Sequence, residues 1–340
     1  MSGVTLKQIA KQLNLSVATV SKALKGYSDV SPKTRERVEA LVKELNYTPN
    51  LSAVSLRTAQ SKTIGAIIPT VVHHFFSEVI RGILKEAEAC GYMVILLQSD
   101  ERYEMEKQQI DLLINKGVDG ILISLSNETK TDDALKKIQS RGIPVVLFDK
   151  ISKNFTCSKV MIDDRLSAYN AVMHLLKKGY RKIAHFRGGY NPQNSIDRFL
   201  GYKKALEDFG IPFDESLVYV CDSNSDYEDG YNAAKDLLEN SEKEVDALFT
   251  ITDVLAVGAM KYCEDQGIKV PEDLAVIGFS NWFMSSVITP TLSTVYQPGL
   301  EMGKKAVAIL CNEIRAKHKN EPVEYQNIIL PTHVISRDST

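Results

Sequence analysis

Eight short runs of Val, Ile and Leu constrain the fold of this chain more than any other feature. Four precede residue 150 and four follow residue 180; they read TIGAIIP, YMVILLQS, VDGILIS and IPVVLFD, then KIAHFR, LVYVCD, VDALFTIT and LAVIGFS. Helical patterns separate these runs. Near-continuous apolar runs between helices indicate parallel strands that are buried on both faces. From Thr63 onward the sequence therefore predicts an α/β body.

The two halves of this body are similar to each other in sequence. LLINKGVDGILIS (112–124) resembles LLENSEKEVDALFTIT (237–252), and IPVVLFD (143–149) resembles DLAVIGFS (273–280). We predict two doubly wound parallel-sheet lobes within residues 62–340. The first would comprise about 62–162 and 293–325, and the second about 163–292 and 326–340. Ligands of such sheets bind beyond the carboxyl ends of the strands, and a cleft between two lobes is a natural site.

The head of the chain, predicted as residues 1–48, differs from the body in charge and pattern. Nine Lys or Arg and four Asp or Glu give residues 1–60 a net charge of +5, whereas the whole chain carries −2. A basic head on an acidic body suggests a polyanion as partner of the head. Three short helices are predicted, the first capped by Thr5, the second by Ser16 and the third by Ser31 before Pro32.

The first two helices are joined by a three-residue turn, which is typical of a helix-turn-helix motif whose second helix enters the major groove. On that helix Val20, Ala23 and Leu24 face inward. The outward residues are the predicted DNA contacts, with base edges read by Val17, Ala18 and Lys22 and phosphates bound by Ser16, Thr19 and Ser21. A three-helix bundle that binds nothing is the alternative that the pattern alone leaves open.

Bulk composition indicates a globular protein with no unusual chemistry. Apolar residues make up 44% and charged residues 25% of the 340. The apolar runs are too short to span a membrane, and the N-terminus lacks the apolar core of a signal peptide. Five scattered Cys fit buried thiols in a reducing compartment. We therefore expect a cytoplasmic protein.

The sequence contains no convincing motif for a metal, nucleotide or catalytic site. His73 and His74 are adjacent residues that point apart, so a metal site is not expected. GLEMGKKA (299–306) lacks the spacing and the Ser or Thr of a phosphate-binding loop, and neither G-x-G-x-x-G nor G-x-S-x-G occurs. We predict no cofactor and no enzyme. A two-lobed α/β enzyme and a sugar receptor without DNA binding are the competing interpretations.

Several segments together resemble the lac repressor and purine repressor family of bacterial regulators. They include TLKQIAKQLNLSVATVSKAL, VSPKTRERV, YTPN, TIGAIIP, KIAHFRGG, DRFLGYKKAL, DALFTITDVLAVGAM and TPTLSTVYQP. The resemblance implies an effector-responsive transcriptional regulator that binds a pseudo-palindromic operator as a homodimer. It also implies an effector domain like the periplasmic sugar-binding proteins. We expect a repressor, although the sequence does not decide between repression and activation.

By the same resemblance, effector ligands come from loops at the strand ends of both lobes. The matching positions are Phe75, Asp149, Asn194, Arg198, Ser225, Asp253, Ser280 and Gln297. Carboxylates accept hydrogen bonds from hydroxyl groups and Arg donates a fork of N–H groups, so these residues suit a sugar-like polyol. The family's Asp-Asp pair is Ser280-Asn281 here, and its ANDE-type segment is TITD around Asp253. Effector identity therefore does not transfer from the family.

Arg187 ends a predicted buried strand at a position that is usually small in the family. One hypothesis is that its charge enters the cleft and favours an acidic or phosphorylated effector. The alternative is an Arg that reaches solvent or pairs with an Asp.

The linker, predicted as residues 49–61, is too apolar to be a flexible tether. It can form about two turns of helix, which would be marginal in isolation and would fold on the operator. By resemblance Leu56 is a minor-groove wedge, and we predict further DNA contacts from Thr5 and Asn50. Packing of the linker's Leu and Val side chains on the body is the alternative.

Overall fold

The computed structural model describes residues 4–24, 26–45, 47, 60–221, 226–239 and 244–340. The chain divides into two compact units, residues 1–61 and residues 62–340, which we call the head and the body.

Three helices form the described part of the head: α1 (Leu6–Leu13), α2 (Val17–Leu24) and α3 (Pro32–Glu44). Helix α1 begins with a capping box, in which the Thr5 hydroxyl accepts the Gln8 N–H at 3.3 Å and the Gln8 side chain accepts the Thr5 N–H at 2.7 Å. Helix α3 begins with Pro32 after Ser31, whose hydroxyl accepts the Thr34 N–H. These helix starts confirm the predicted capping pattern.

The apolar faces of the three helices meet in one small core. Its buried members are Ile9, Ala10, Val20, Ala23, Val30, Val38 and Leu41. Because so few side chains hold the head together, each helix cap is a sizeable part of its stability, at about 1 kcal/mol per cap.

Two six-stranded sheets form the framework of the body. In spatial order the first sheet contains β11 (Asn327–Leu330), β5 (Ser158–Ile162), β4 (Val145–Phe148), β3 (Gly120–Ile123), β1 (Thr63–Ile68) and β2 (Met93–Gln98). The second contains β12 (His333–Ile335), β10 (Ser293–Tyr296), β9 (Ala275–Ser280), β8 (Ala247–Thr250), β6 (Ile183–Arg187) and β7 (Val218–Val220). Neighbouring strands are parallel, except that β12 pairs with β10 in the antiparallel sense.

Helices cover these sheets. They are α4 (His74–Ala89), α5 (Tyr103–Lys116), α6 (Asp133–Ser140), α7 (Asp164–Lys178), α8 (Gln193–Asp208), α9 (Asp226–Leu238), α10 (Asp253–Gln266) and α11 (Gly299–Lys319). Strands β3, β4, β8 and β9 are buried along their whole length, as expected when both faces of a parallel sheet are covered. The predicted α/β body with two parallel-sheet lobes is confirmed.

The chain passes between the two sheets at other residues than the sequence suggested. Strand β10 belongs to the second sheet, although 293–325 was assigned to the first lobe. Strand β11 belongs to the first sheet, although 326–340 was assigned to the second. Strand pairing determines the sheet to which each segment belongs. Val295 of β10 lies beside Phe279 of β9, and Ile328 of β11 lies beside Val160 of β5. Both segments are short apolar runs, so their composition could not tell which sheet each would extend.

No helix within the described residues is long and apolar enough to span a bilayer.

Candidate functional site

Helix α2 presents a distinct outer face in the head. Val20 and Ala23 are buried, whereas Val17, Ala18 and Lys22 are exposed. Val17 is 41% exposed. The three residues predicted to read bases therefore lie on the solvent side of the helix.

The predicted phosphate contacts cluster at the beginning of α2. The Ser16 hydroxyl accepts the Thr19 N–H at 3.0 Å and lies 2.8 Å from the Thr19 hydroxyl. Ser16 is exposed, and Thr19 and Ser21 are half-buried. Thr5 is also exposed, but its hydroxyl takes part in the capping box of α1. Asn50 and Leu56 lie outside the described residues.

Lys22 has an acidic neighbour that the sequence analysis did not consider. Its ammonium group forms an ion pair with Asp29, in the segment between α2 and α3. This hydrogen bond raises the pKa of Lys22 and lowers the pKa of Asp29. About half of each side chain remains exposed, so the pair orients the ammonium group without removing it from solvent.

A cavity of about 940 Å³ opens between the two lobes of the body. Its described lining comes from the loops that follow β1, β2, β3, β4, β6, β7, β8, β9 and β10, together with the starts of α4, α8, α9 and α10. This is the carboxyl edge of both parallel sheets, where ligands of such folds bind. Six of the predicted effector residues line it: Phe75, Asp149, Asn194, Arg198, Ser280 and Gln297.

The backbone around the cavity is unusual at several points. Asp100, Glu101, Asp149 and Ser280 all line the cavity and have positive φ angles of 52°, 57°, 56° and 107°. Non-glycine residues seldom adopt such angles, which cost of order 1–3 kcal/mol each and concentrate at functional sites. The strain supports a ligand-binding role for the cavity.

A hydrogen-bonded chain crosses the bottom of the cavity from one lobe to the other. The Ser280 hydroxyl donates to the Gln297 carbonyl oxygen at 3.0 Å, and the Gln297 amide donates to Asp149 Oδ1 at 3.2 Å. Burial raises the pKa of Asp149 to about 6, and the nearby Asp164 carboxylate adds to the effect. All three side chains are at most 8% exposed.

Arg198 is fixed at the second-lobe side of the cavity. Its Nε donates to Asp164 at 2.7 Å, its Nη1 donates to the Ile251 carbonyl at 2.8 Å, and its guanidinium lies 3.7 Å from the centre of the Phe279 ring. Burial raises the pKa of Asp164, and Arg198 opposes that shift. Within the described part of the chain Nη2 has no acceptor, so it can donate to a ligand.

The first-lobe side carries a second ion pair, largely shielded from solvent, that sequence reasoning missed. Lys150 Nζ lies 2.5 Å from Glu101 Oε1 and 2.6 Å from Asn127 Oδ1, and Glu101 Oε2 accepts the Asn127 N–H at 2.8 Å. The two charged side chains are only 11% and 16% exposed. The sole sequence signal was the position of Lys150 directly after Asp149.

Two further lining residues were also missed. His73 is half-buried, and desolvation lowers its pKa to about 4, so it is neutral at pH 7. Trp282 follows the Ser280-Asn281 pair and is half-buried in the cavity wall. Neither position follows from helix or strand periodicity, because both lie in loops.

Asp253 was predicted to bind effector, but its carboxylate is not among the described lining groups. It is 1% exposed and accepts three hydrogen bonds, from the Trp282 N–H at 2.5 Å, the Ser285 hydroxyl at 2.9 Å and the Thr294 hydroxyl at 2.5 Å. Asp253 therefore braces the loop after β9. Its neighbour Thr252 faces the cavity instead.

Arg187 was proposed to bring charge into the cleft, but it too is absent from the described lining. On β6 it shares a face with His185, which stacks on Phe199 of α8. The Arg187 guanidinium lies between Tyr190 at 4.5 Å and Phe199 at 4.3 Å, so strand alternation directs it under α8. Ser225, another predicted ligand, lies outside the described residues.

Among the described residues, no group of three or more His, Cys, Asp or Glu side chains is placed to hold a metal ion.

A helix-turn-helix head followed by a two-lobed body with a polar interlobe cavity is the architecture of an effector-controlled DNA-binding regulator. Residues 5–50 match the model of bacterial regulatory proteins of the lacI family, and residues 61–335 match that of periplasmic binding proteins and the sugar-binding domain of the LacI family. The chain belongs to the LacI family of transcriptional regulators, as the sequence resemblance indicated.

Individual relatives cover nearly the whole chain. Catabolite control protein A of Priestia megaterium is 33% identical over 339 residues, which is 99% of both chains. A structure of the lac repressor dimer bound to operator and the anti-inducer ONPF has a TM-score of 0.86 at 25% identity and covers 99% of each chain. A complex of the transcriptional regulator CelR with cellobiose has a TM-score of 0.75 at 26% identity, with 99% and 100% covered. These relatives are regulators, which agrees with the prediction that the chain is not an enzyme.

Proposed function

We propose that the protein is a cytoplasmic homodimer that binds a pseudo-palindromic operator through α2 and releases or strengthens that contact when a sugar-like effector fills the interlobe cavity. The observation that carries the proposal is the presence in one chain of an exposed outer face on α2 and a strained, polar cavity at the sheet edges. The lac repressor dimer on operator and the CelR–cellobiose complex supply the analogy.

The proposed DNA contacts divide by chemistry. Val17 and Ala18 suit thymine methyl groups, and Lys22 can donate to guanine. Ser16, Thr19, Ser21 and Thr5 are short donors near helix starts that suit phosphates. Asn50 and Leu56, outside the described residues, remain predicted contacts from the linker.

The proposed effector contacts are the buried polar groups of the cavity. Arg198 donates to the ligand from Nη2, and Asp149 accepts from its hydroxyl groups. Ser280 and Gln297, which hydrogen-bond to each other and to Asp149, can exchange those bonds for bonds to the ligand. Phe75 and Asn194 complete the proposed set. A polyol offers both donors and acceptors to such a mixture of groups.

Selection of DNA from a random pool by the purified full-length protein tests the DNA-binding half of this proposal. We expect a palindromic consensus, followed by a dissociation constant of about 10 nM or tighter and a steep loss of affinity with salt. Recovery of no consensus, or equal affinity for every sequence, would contradict the proposal. A thermal-shift screen with sugars tests the other half, since a ligand at about 100 times its Kd stabilises by about 2.7 kcal/mol.

The linker is proposed to couple effector binding in the body to DNA binding by the head. If Leu56 inserts between base steps, Leu56→Ala weakens operator binding and leaves both sugar affinity and thermal stability unchanged. A loss of stability without any change in operator affinity would instead favour packing of Leu56 on the body.

A further inference from the structure

The cavity is larger than one sugar ring requires. Ligand pockets usually span about 300–1,000 Å³, so a volume of about 940 Å³ lies at the upper end of that range. The groups best placed to hold hydroxyls are confined to its bottom, where exposure does not exceed 8%. We call Asp149, Arg198, Ser280 and Gln297 the floor. A monosaccharide on the floor would leave the outer part of the cavity filled with water.

The outer part of the cavity has a different chemistry from the floor. Val72 is 87% exposed, Tyr227 is 43% exposed and Trp282 is half-buried, yet all three line the cavity. We call these three residues the rim. The Trp282 indole packs edge to face with the Phe283 ring at 5.7 Å, which fixes its orientation. Large apolar side chains exposed together beside a polar pocket are typical of a surface that a ligand covers.

The cationic side chains of the cavity already have acidic partners. Each cation in its described lining has an acidic partner: Lys150 with Glu101 at 2.5 Å, Arg198 with Asp164 at 2.7 Å and Arg102 with Asp100 at 3.7 Å. Two further acidic side chains, Asp149 and Glu228, also line it. Among the described lining residues, an anionic ligand would find Nη2 of Arg198 without an acceptor but would face more carboxyl groups than cations, so the lining favours a neutral ligand.

We propose that the cavity takes a neutral glycan of at least two sugar units, with one unit bound by the floor and the next packed against Trp282 of the rim. The C–H faces of a pyranose are apolar and its edges are polar, so a chain of rings satisfies both halves of the cavity. This inference rests on the proposed sugar-effector function and narrows it. It also replaces the phosphorylated effector considered for Arg187, whose guanidinium lies between two aromatic rings away from the cavity.

The intrinsic fluorescence of the protein reports on the rim directly, because Trp282 is the only tryptophan in the chain. Full-length protein is titrated with glucose, galactose, mannose and xylose, and with their α- and β-linked disaccharides and trisaccharides. Glucuronate and glucose 6-phosphate serve as acidic counterparts. We expect a disaccharide or trisaccharide to bind at least tenfold more tightly than its monosaccharide and to shift the Trp282 emission to shorter wavelength.

Substitution separates the rim from the floor. Because Trp282→Ala removes the only tryptophan of the chain, binding to the variants is measured by calorimetry. Trp282→Ala should weaken binding of the preferred disaccharide tenfold or more and change binding of the corresponding monosaccharide less than twofold. Tyr325→Ala, which removes an aromatic side chain 49% exposed and outside the cavity lining, is the matched control and should change neither. Tyr227→Ala provides a second rim variant if Trp282→Ala lowers the thermal stability of the protein.

The outcomes distinguish this inference from the function on which it rests. A monosaccharide that binds as tightly as every longer sugar, or an acidic sugar that binds best, would overturn the inference and leave a sugar-controlled regulator in place. If no sugar of the panel changes either melting temperature or Trp282 emission while operator binding is intact, the sugar-effector function fails as well.

Discussion

At the scale of single residues, Lys22 is the side chain whose predicted contact with DNA can be tested most cleanly. It is exposed on the outer face of α2 and oriented by Asp29. Lys22→Ala should lower operator affinity by about 10- to 100-fold, since a direct base contact is worth about 1–3 kcal/mol. Asp29→Asn, which removes a negative charge from the same face, should strengthen binding to any DNA.

Anisotropy of labelled operator at fixed salt measures both effects. Lys116→Ala makes the same change of charge on the exposed end of α5, in the body, and is the matched control. If Lys22→Ala and Lys116→Ala have equal effects on operator affinity, Lys22 makes no direct contact.

If Asp149 binds effector as proposed, the affinity for effector should depend on pH. Its pKa is raised to about 6, first by burial and then by the nearby Asp164 carboxylate, while Arg198 and Lys150 oppose the shift. Its carboxylate is therefore mostly protonated at pH 5, where it loses acceptor capacity. Affinity for a sugar should fall about tenfold between pH 7 and pH 5, since roughly one group in ten is still ionised one pH unit below the pKa.

Calorimetric titration across this range tests the prediction, with Asp149→Asn as the comparison. Asp149→Asn should bind the sugar weakly at every pH, and its affinity should not fall between pH 7 and pH 5. Protonation of Asp149 does not unfold the protein and so cannot cause the loss of affinity in that way. A carboxyl group whose pKa is raised in the folded state stabilises that state as the pH drops from 6 toward 4. An equal fall in the wild type and in Asp149→Asn would assign it to other groups.

At the scale of elements, the loop after β9 depends on Asp253. Removing a carboxylate that accepts three buried hydrogen bonds should lower the free energy of unfolding by at least about 2 kcal/mol. Asp253→Ala should therefore melt at lower temperature in the absence of any sugar, whereas Ser286→Ala, which removes an exposed hydroxyl from the same loop, should melt close to the wild type. An Asp253→Ala protein with unchanged stability and abolished sugar binding would restore the ligand role that the sequence suggested.

Helices α4 and α11 approach each other through glycines. A Cβ atom on Gly303 would lie 2.1 Å from the Val79 carbonyl oxygen, and one on Gly82 would lie 2.2 Å from the Leu300 carbonyl oxygen. Gly303→Ala should destabilise the body by about 1–3 kcal/mol through overpacking, as measured by chemical denaturation. Helix propensity alone would make the same substitution stabilising by up to about 1 kcal/mol. A loss of stability therefore supports the close helix contact, and a gain would contradict it. Lys305→Ala, on the exposed face of α11, is the control.

The periodicity of the sequence predicts elements well and side-chain directions poorly. Helices α1–α3 follow from apolar spacing and from caps such as Thr5 and Ser31, which act within four residues. The sequence does not predict which way the side chains of Arg187 and Asp253 point. Arg187 ends a strand and Asp253 begins a helix, and at such ends neighbouring residues point alternately into the cavity and into the packed interior. The Lys150–Glu101 pair joins residues 49 positions apart, and no local pattern records such a contact.

At the scale of the whole molecule, the proposed regulation is a shift between two populations of the dimer. An effector changes DNA affinity only if it binds the two states unequally. The chain Ser280–Gln297–Asp149 joins the two lobes at the floor of the cavity, so a ligand bound there contacts both lobes at once. The sugar is therefore placed to favour one arrangement of the lobes over another.

Reciprocal coupling tests this central claim most directly. Operator affinity is measured by anisotropy with and without saturating sugar, and sugar affinity is measured by calorimetry with and without saturating operator. We predict the same factor in both directions, in the range of about 5- to 150-fold, because coupling free energy is a property of the pair of ligands. Operator and sugar that each bind tightly, but with affinities that do not depend on one another, would contradict the account.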